Sequence, residues 1–235
     1  MKILVVGGNG GIGWAMTQEA VRRFPTAKIH ATYHREIPER SLLEVTWHQI
    51  DATDESQVKE LSVNVGNVDW VINCVGMLHT KEKGPEKNVS SLDVDFFLQT
   101  ISVNTLPTLL LAKYFTPALK RSYAPKFASI SAKVGSINDN QLGGWYSYRS
   151  SKAALNMFLK TLAIEWQRTV KHGVVLALHP GTTDTPLSKP FQANVPLDRL
   201  FTPERVAFDL ITLIEKATPQ DSGAFWAYDG ECLPW

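Results

Sequence analysis

Tyr148 and Lys152 stand four residues apart in the segment Gly-Trp-Tyr-Ser-Tyr-Arg-Ser-Ser-Lys-Ala-Ala-Leu that begins at Gly144. At that spacing in a helix both side chains share one face. A free phenol has a pKa of ~10 and moves protons poorly near neutrality unless a cation steadies its phenolate. A lysine one turn away is such a cation, which makes the pair a candidate acid–base device. Tyr146 is the competing phenol, but the residue four after it is Ser150, which carries no charge. A lone Y-x-x-x-K occurs often by chance and gains meaning only from its company.

That company is a glycine cluster near the other end of the chain. Gly7-Gly8-Asn9-Gly10-Gly11-Ile12-Gly13 holds five glycines in seven residues, after the apolar run from Ile3 to Val6 and before a helical pattern. A plain strand-to-helix turn needs one or two. Glycines let the backbone approach a ligand closely, and the helix start offers free N–H groups to a pyrophosphate. Gly7, Asn9, Gly10, Gly11, Ile12 and Gly13 are therefore candidate contacts of a dinucleotide.

The next strand ends Thr32-Tyr33 and continues His34-Arg35-Glu36. An acid at that point holds the ribose 2′-hydroxyl of NAD, whereas a guanidinium matches a 2′-phosphate. Tyr33 takes the place of the acid, and His34 and Arg35 follow, so NADP(H) is favoured over NAD(H). Asp51-Ala52, closing the third strand, is placed to accept from the adenine amino group or to cap the helix that starts near Glu55, two compatible roles.

The positioning elements follow from periodicity. Strands are predicted at 3–6, 28–33, 46–50, 70–75, 126–131, 174–178 and 223–228, and helices at 12–24, 55–63, 94–119, 148–170 and 203–216. Strand alternating with helix implies right-handed crossovers, hence an α/β, doubly wound Rossmann-type parallel sheet with helices on both faces. Residues 1–235 read as a single domain, with the polar stretch 79–91 a surface loop and 187–200 an irregular flap. Ligands in such sheets bind beyond the carboxyl ends of the strands, where the candidate residues lie.

Composition narrows the function classes. With 24 Lys+Arg against 23 Asp+Glu there is no basic excess to neutralise nucleic-acid phosphates. The run from Ile3 to Val6 is too short for a signal-peptide core, and no stretch approaches ~20 uninterrupted apolar residues, so no membrane partner is expected. Two distant cysteines, Cys74 and Cys232, suit a reducing cytoplasm, and six histidines without helical metal-ligand spacing suggest no metal.

Taken together, the motifs resemble those of the short-chain dehydrogenase/reductase family, along nearly the whole chain. Val6 to Gly13 resembles T-G-x-x-x-G-I-G with Val6 for Thr; Asn73-Cys74-Val75-Gly76 resembles N-N-A-G; Val103-Asn104 resembles the fourth-helix asparagine. Pro180-Gly181-Thr182-Thr183-Asp184-Thr185 resembles P-G-x-x-x-T. Within the family, the segments around Tyr148 and Gly135 look most like the C-factor and sniffer group of carbonyl reductases.

The resemblance implies an NADP-dependent carbonyl reductase. Tyr148 would protonate the carbonyl oxygen of a small, partly apolar substrate, or deprotonate the alcohol in reverse. Lys152 would lower the phenol pKa and hold the nicotinamide ribose, and Asn104 would anchor a relay water. It also implies cofactor contacts at Asn73, Val75, Gly76, Pro180, Gly181, Thr183 and Thr185. Pro107 independently singles out Asn104, since it removes the N–H that would bond Val103 and predicts a kinked helix. The C-factor likeness carries an alternative, a nucleotide-binding signalling protein with little turnover.

One position departs from the pattern. The substrate-orienting serine of I-S-S-x-x-G is Ala132 here, and the adjacent Ser131 is the catalytic candidate in its place. Ser131 points to the opposite face of a regular strand and serves only where the strand end is irregular, and counting back from Tyr148 lands nearer Gly135 and Ser136. The flap contributes Leu187, Phe191, Val195, Leu197 and Leu200 as a candidate apolar substrate wall, joined by Trp145. Apolar residues on more than one face of 148–170, among them Leu155, Met157, Ile164 and Trp166, together with the family habit, predict a homodimer or homotetramer.

Overall fold

The computed structural model describes residues 1–38 and 42–235. The opening run forms β1 (Lys2–Val6), buried from Ile3 onward, and the glycine turn leads into α1 (Gly11–Arg23). Then come β2 (Lys28–Tyr33), β3 (Val45–Gln49), α2 (Glu55–Val65), β4 (Trp70–Asn73), α3 (Val94–Leu119) and β5 (Lys126–Ile130). The chain continues through α4 (Tyr146–Thr169), β6 (Val174–His179), β7 (Thr182–Thr183), β8 (Leu200–Phe201), α5 (Pro203–Lys216) and β9 (Ala224–Ala227).

Seven strands form one sheet in the order β3-β2-β1-β4-β5-β6-β9, every pairing parallel. This is the doubly wound fold the alternation predicts. Leu155 and Trp166 of α4, Phe115 of α3 and Leu61 of α2 pack on one face; Met16 of α1 and Leu210 of α5 pack on the other. The chain reverses direction across the sheet between β1 and β4, which opens a crevice above their carboxyl ends. Register aligns those ends: Val6 pairs with Asn73, Asn73 with Ser129, and Ile130 with Leu178.

Several boundaries move for local reasons. β4 stops at Asn73, two residues before the predicted end, because the Asn73 Oδ1 accepts the Val75 N–H at 3.0 Å and turns the chain out of the sheet. α2 runs on to Val65 and stops where Gly66 adopts φ +67°. α4 begins at Tyr146, so both candidate phenols lie in its first turn. The short β7–β8 pair ties the flap to the chain leaving β6 and left no periodic signal in the sequence. α3 runs unbroken through Pro107 and Pro117.

By length and mean composition α3 is apolar enough to cross a membrane, although Gln99, Asn104 and Lys113 interrupt its apolar run. Here it is a core helix, with Phe96, Leu111, Phe115 and Leu119 buried.

Candidate active site

The helix α1 starts with its amides unopposed. Its capping position is Gly10, with no side-chain cap, and no acid lies in the first turn, so N–H groups and the positive end of the helix face outward together. Close packing within the turn demands glycine at two points. Gly7 has φ +75°, and a Cβ on Gly13 would lie 2.0 Å from the Gly7 carbonyl oxygen. The Gly7 N–H bonds the Thr32 hydroxyl at 2.9 Å, and Asn9 Nδ2 donates to the Glu36 carbonyl at 3.1 Å, fastening the turn to the end of β2 and to the chain just after it.

A cavity of about 560 Å³ runs from this turn across the strand ends. It brings together Asn9, Gly10, Gly11, Ile12 and Gly13 with Val75, Gly76, Pro180, Gly181, Thr183 and Thr185 of the expected cofactor set, and with Tyr148 and Lys152. Gly7 lies outside this lining, and its carbonyl accepts the Gly10 N–H at 3.1 Å. Asn73 is 1% exposed and serves as an internal hub, donating to Thr108 Oγ1 at 2.8 Å. Ala52 packs in the core with Val58 and Leu61.

A second cavity, lined by His34, Arg35, Gln49, Ile50, Asp51 and Gln57, lies at the ends of β2 and β3. Arg35 also borders the space beside Thr80 and Lys81. Among the described residues its guanidinium makes no ion pair, while His34 Nε2 lies 3.7 Å from Asp51 Oδ2. The capping role weighed for Asp51 falls to Asp54, which accepts the Ser56 and Gln57 N–H groups. Asp51 accepts instead from Thr53, and that hydrogen bond holds its carboxyl below the ordinary value.

Tyr148 and Lys152 are both buried, with Lys152 Nζ 5.8 Å from the Tyr148 ring centre. The ammonium donates to the Ile130 carbonyl at 3.0 Å. Burial dominates both groups: it pushes the phenol above its ordinary value and brings the lysine down to about 8. The expected lowering of the phenol is therefore reversed, because desolvation outweighs a lysine that is itself desolvated. Both shifts favour the uncharged forms, so the pair holds a protonated phenol beside a lysine that gives up its proton more readily than a free one.

Asn104 is fully buried in α3; its Oδ1 accepts the Met77 N–H at 2.7 Å, and its Nδ2 donates to the Met77 carbonyl at 2.9 Å and to Ser151 Oγ at 2.8 Å. It therefore stands just behind the cavity wall. Ser131 lies on the wall, but its hydroxyl donates to Asn156 Oδ1 at 2.6 Å. Ala132 faces the cavity beside it, and Ser136 Oγ accepts from the Asp139 N–H.

The apolar wall is made of Trp145, Leu187, Phe191 and Val195, together with Leu78 and Val134. Leu197 is instead 90% exposed and Leu200 belongs to β8, which corrects two members of the expected wall. The Trp145 ring lies 6.1 Å from that of Tyr148 and 5.3 Å from that of Phe191. His179 also lines the cavity, and burial lowers it to about 4, so its ring is neutral. Cys74 does too, its thiol pushed up to about 12 by burial, which makes it inert.

Sequence reasoning missed Glu86, Ser147 and Ser151. Glu86 is 4% exposed, and its carboxylate accepts from the Ser147 N–H at 3.0 Å and from the Ser147 hydroxyl. Glu86 and Ser147 lie 61 positions apart, and no local pattern links them.

Comparison with known proteins agrees with this geometry. The family model for short chain dehydrogenases matches residues 1–196. The chain is 35% identical over 192 residues to 1-hydroxy-2-glutathionyl-2-methyl-3-butene dehydrogenase of Rhodococcus sp. (strain AD45), covering 79% of this chain and 78% of that one. It is 29% identical to C-signal of Myxococcus xanthus over 174 residues, 74% of this chain and 96% of the other. In fold it is similar to the NADPH-bound carbonyl reductase from chicken fatty liver, with a TM-score of 0.87 at 23% identity, covering 100% of this chain and 94% of that one. Carbonyl reductase Sniffer of D. melanogaster gives a TM-score of 0.85 at 22% identity, covering 100% and 99%. With the glycine turn, the buried Tyr148–Lys152 pair and a family match over most of its length, the chain belongs to the short-chain dehydrogenases and is an oxidoreductase of that family.

Proposed function

We propose that the chain is an NADPH-dependent oxidoreductase that interconverts a carbonyl and an alcohol on a small, partly apolar substrate. The observation that carries this reading is the shared cavity: the open amino terminus of α1 and the buried Tyr148–Lys152 pair line the same space. The residues present fit a nicotinamide dinucleotide, since the close packing of Gly13 on Gly7 leaves the α1 amides uncovered for a pyrophosphate. Arg35, at the end of β2, supports a 2′-phosphate in preference to a free hydroxyl.

When bound, the cofactor supplies the hydride. Tyr148, held neutral by burial, donates its proton to the carbonyl oxygen as negative charge develops there. Lys152 steadies the phenolate that remains, fixed in place through the Ile130 carbonyl. Trp145 and Phe191 exclude water and receive the apolar part of the substrate.

The names of the relatives support the reaction class: the Rhodococcus protein is named a dehydrogenase, and the chicken protein an NADPH-bound carbonyl reductase. The intact acid–base pair weighs against the signalling alternative that the likeness to C-signal raises. A cytoplasmic setting and a homo-oligomer belong to the same reading; Cys74 and Cys232 are free thiols, and Met157 and Ile164 of α4 are exposed at 68% and 50%.

The test is a panel of carbonyl compounds assayed by loss of NADPH absorbance. Turnover in the native protein that is absent in Tyr148→Phe supports the proposal. Firm NADPH binding with no compound reduced would overturn it in favour of a binding protein.

A further inference from the structure

The capping position of α4 holds an unusual residue. Trp145 has no oxygen with which to cap a helix, and its backbone is left-handed at φ +53°, a region that bulky residues rarely enter. Such a conformation persists only where the surroundings hold it. Here the Glu86 carbonyl accepts the Trp145 N–H at 2.5 Å, while the Glu86 carboxylate takes both the N–H and the hydroxyl of Ser147. A local Ser at position 145 would cap the helix without burying a carboxylate, which is costly unless fully hydrogen-bonded. The fold instead separates the tasks: Trp145 sends its ring into the cavity, and Glu86 caps from a different segment of the chain.

A second tie runs from α3, whose Asn104 also holds the segment that carries Glu86. Asn104 binds both the N–H and the carbonyl of Met77, and bonds Ser151 Oγ, which in turn donates to the Tyr148 carbonyl at 2.8 Å. Ser147 and Ser151 are one turn apart and fully buried, immediately preceding Tyr148 and Lys152 in the chain. The connection between β4 and α3 therefore grips the first turn of α4 directly through Glu86, and reaches the next turn through Asn104 of α3, to which Met77 is tied.

We propose that Glu86 is a positioning residue for Tyr148, acting through Ser147 and Trp145 to set the orientation of the phenol and of the aromatic wall beside it. This rests on the carbonyl–alcohol reading above, but the grip on α4 can be measured without turnover. A carboxylate at a helix amino terminus also complements the helix dipole, so geometry and charge must be separated by experiment.

The experiment compares Glu86→Ala, Glu86→Gln and Ser147→Ala with the native chain. It reads kcat and KM for a reduced carbonyl, the Kd for NADPH, and amide hydrogen exchange over residues 145–148. In Glu86→Ala, kcat falls about 10- to 100-fold, as misplacement of a reacting group by about 1 Å would cause. NADPH affinity is unchanged, and exchange at 145–148 accelerates. Glu86→Gln recovers most of both, because its amide oxygen accepts the Ser147 N–H and its NH2 donates to the Ser147 hydroxyl. Should Glu86→Ala not fold, Ser147→Ala, which loses one of the two bonds, carries the test with a smaller loss of kcat and faster exchange. Native kcat in the variant that folds, or native exchange there, overturns the proposal, as does a Glu86→Gln protein as slow as Glu86→Ala with exchange unaltered. If the native chain reduces no carbonyl, the reaction reading fails, while exchange at 145–148 still decides whether Glu86 holds the helix.

Discussion

Lys152 gives a hydrogen bond from Nζ to the main-chain carbonyl of Ile130 at 3.0 Å, tying the helix that carries Tyr148 to the end of the central strand β5. The lysine is 3% exposed and brought down to about 8 from 10.5 by that burial, which sets the pH range in which the site holds its charge.

Loss of the ammonium as pH rises through about 8 should therefore reduce kcat/KM for carbonyl reduction, approaching a tenfold fall per pH unit. The linkage runs the other way for stability. The folded state releases the proton before the unfolded state does, so this group's contribution to stability rises between about 8 and 10.5. Lys152→Arg keeps its charge throughout and should shift the falling limb out of range; a limb that stays near 8 in that variant would assign it to another group.

Tyr148→Phe removes only the hydroxyl and should lower turnover by about 10²- to 10⁴-fold while leaving NADPH binding intact. Tyr146, 41% exposed and outside the cavity lining, is the internal control, and Tyr146→Phe should have little effect. Lys152→Ala should damage both turnover and cofactor binding. An active Tyr148→Phe with an inactive Tyr146→Phe would transfer the acid–base role.

Arg35→Ala should raise the KM for NADPH by about 10- to 100-fold, the worth of charge-assisted hydrogen bonds to one phosphate, with the KM for NADH nearly unchanged. Steady-state kinetics with both cofactors measure this. An unchanged NADPH/NADH ratio sinks the assignment.

Ser131→Ala should weaken folding and spare chemistry. Its hydroxyl is engaged with Asn156 at 2.6 Å, and its loss leaves a buried amide oxygen without a partner, at about 1–3 kcal/mol by urea unfolding. A large drop in kcat with unaltered stability would instead give Ser131 a direct role at the substrate.

Met157 and Ile164, seven residues apart, share one exposed face of α4. Light scattering of the native chain at micromolar concentration should report a dimer or tetramer, and the double substitution Met157→Glu, Ile164→Glu should reduce its mass. A native monomer would leave that face without the proposed partner.

Most of the fold was legible because strand runs and helical stripes are local patterns. Helices α3 and α5 fall within the predicted bounds, and the glycine turn and the Tyr148–Lys152 spacing mark the two halves of the site without knowledge of any contact. Less legible were ends decided by single hydrogen bonds, as at Asn73, and the β7–β8 pair, too short for a period to show.

What the sequence by itself determined was the layered α/β architecture, the glycine turn after β1 and the Tyr148–Lys152 spacing on which the proposed acid–base pair rests, since each depends on residues close together in the chain. Only the tertiary structure decided how those groups are charged and held. Burial opposes charge on both Tyr148 and Lys152, Asn156 engages the Ser131 hydroxyl, and Glu86 caps the helix of Tyr148 from 61 residues before Ser147. Desolvation and long-range hydrogen bonds depend on which segments the fold packs together, and no spacing along the chain records that.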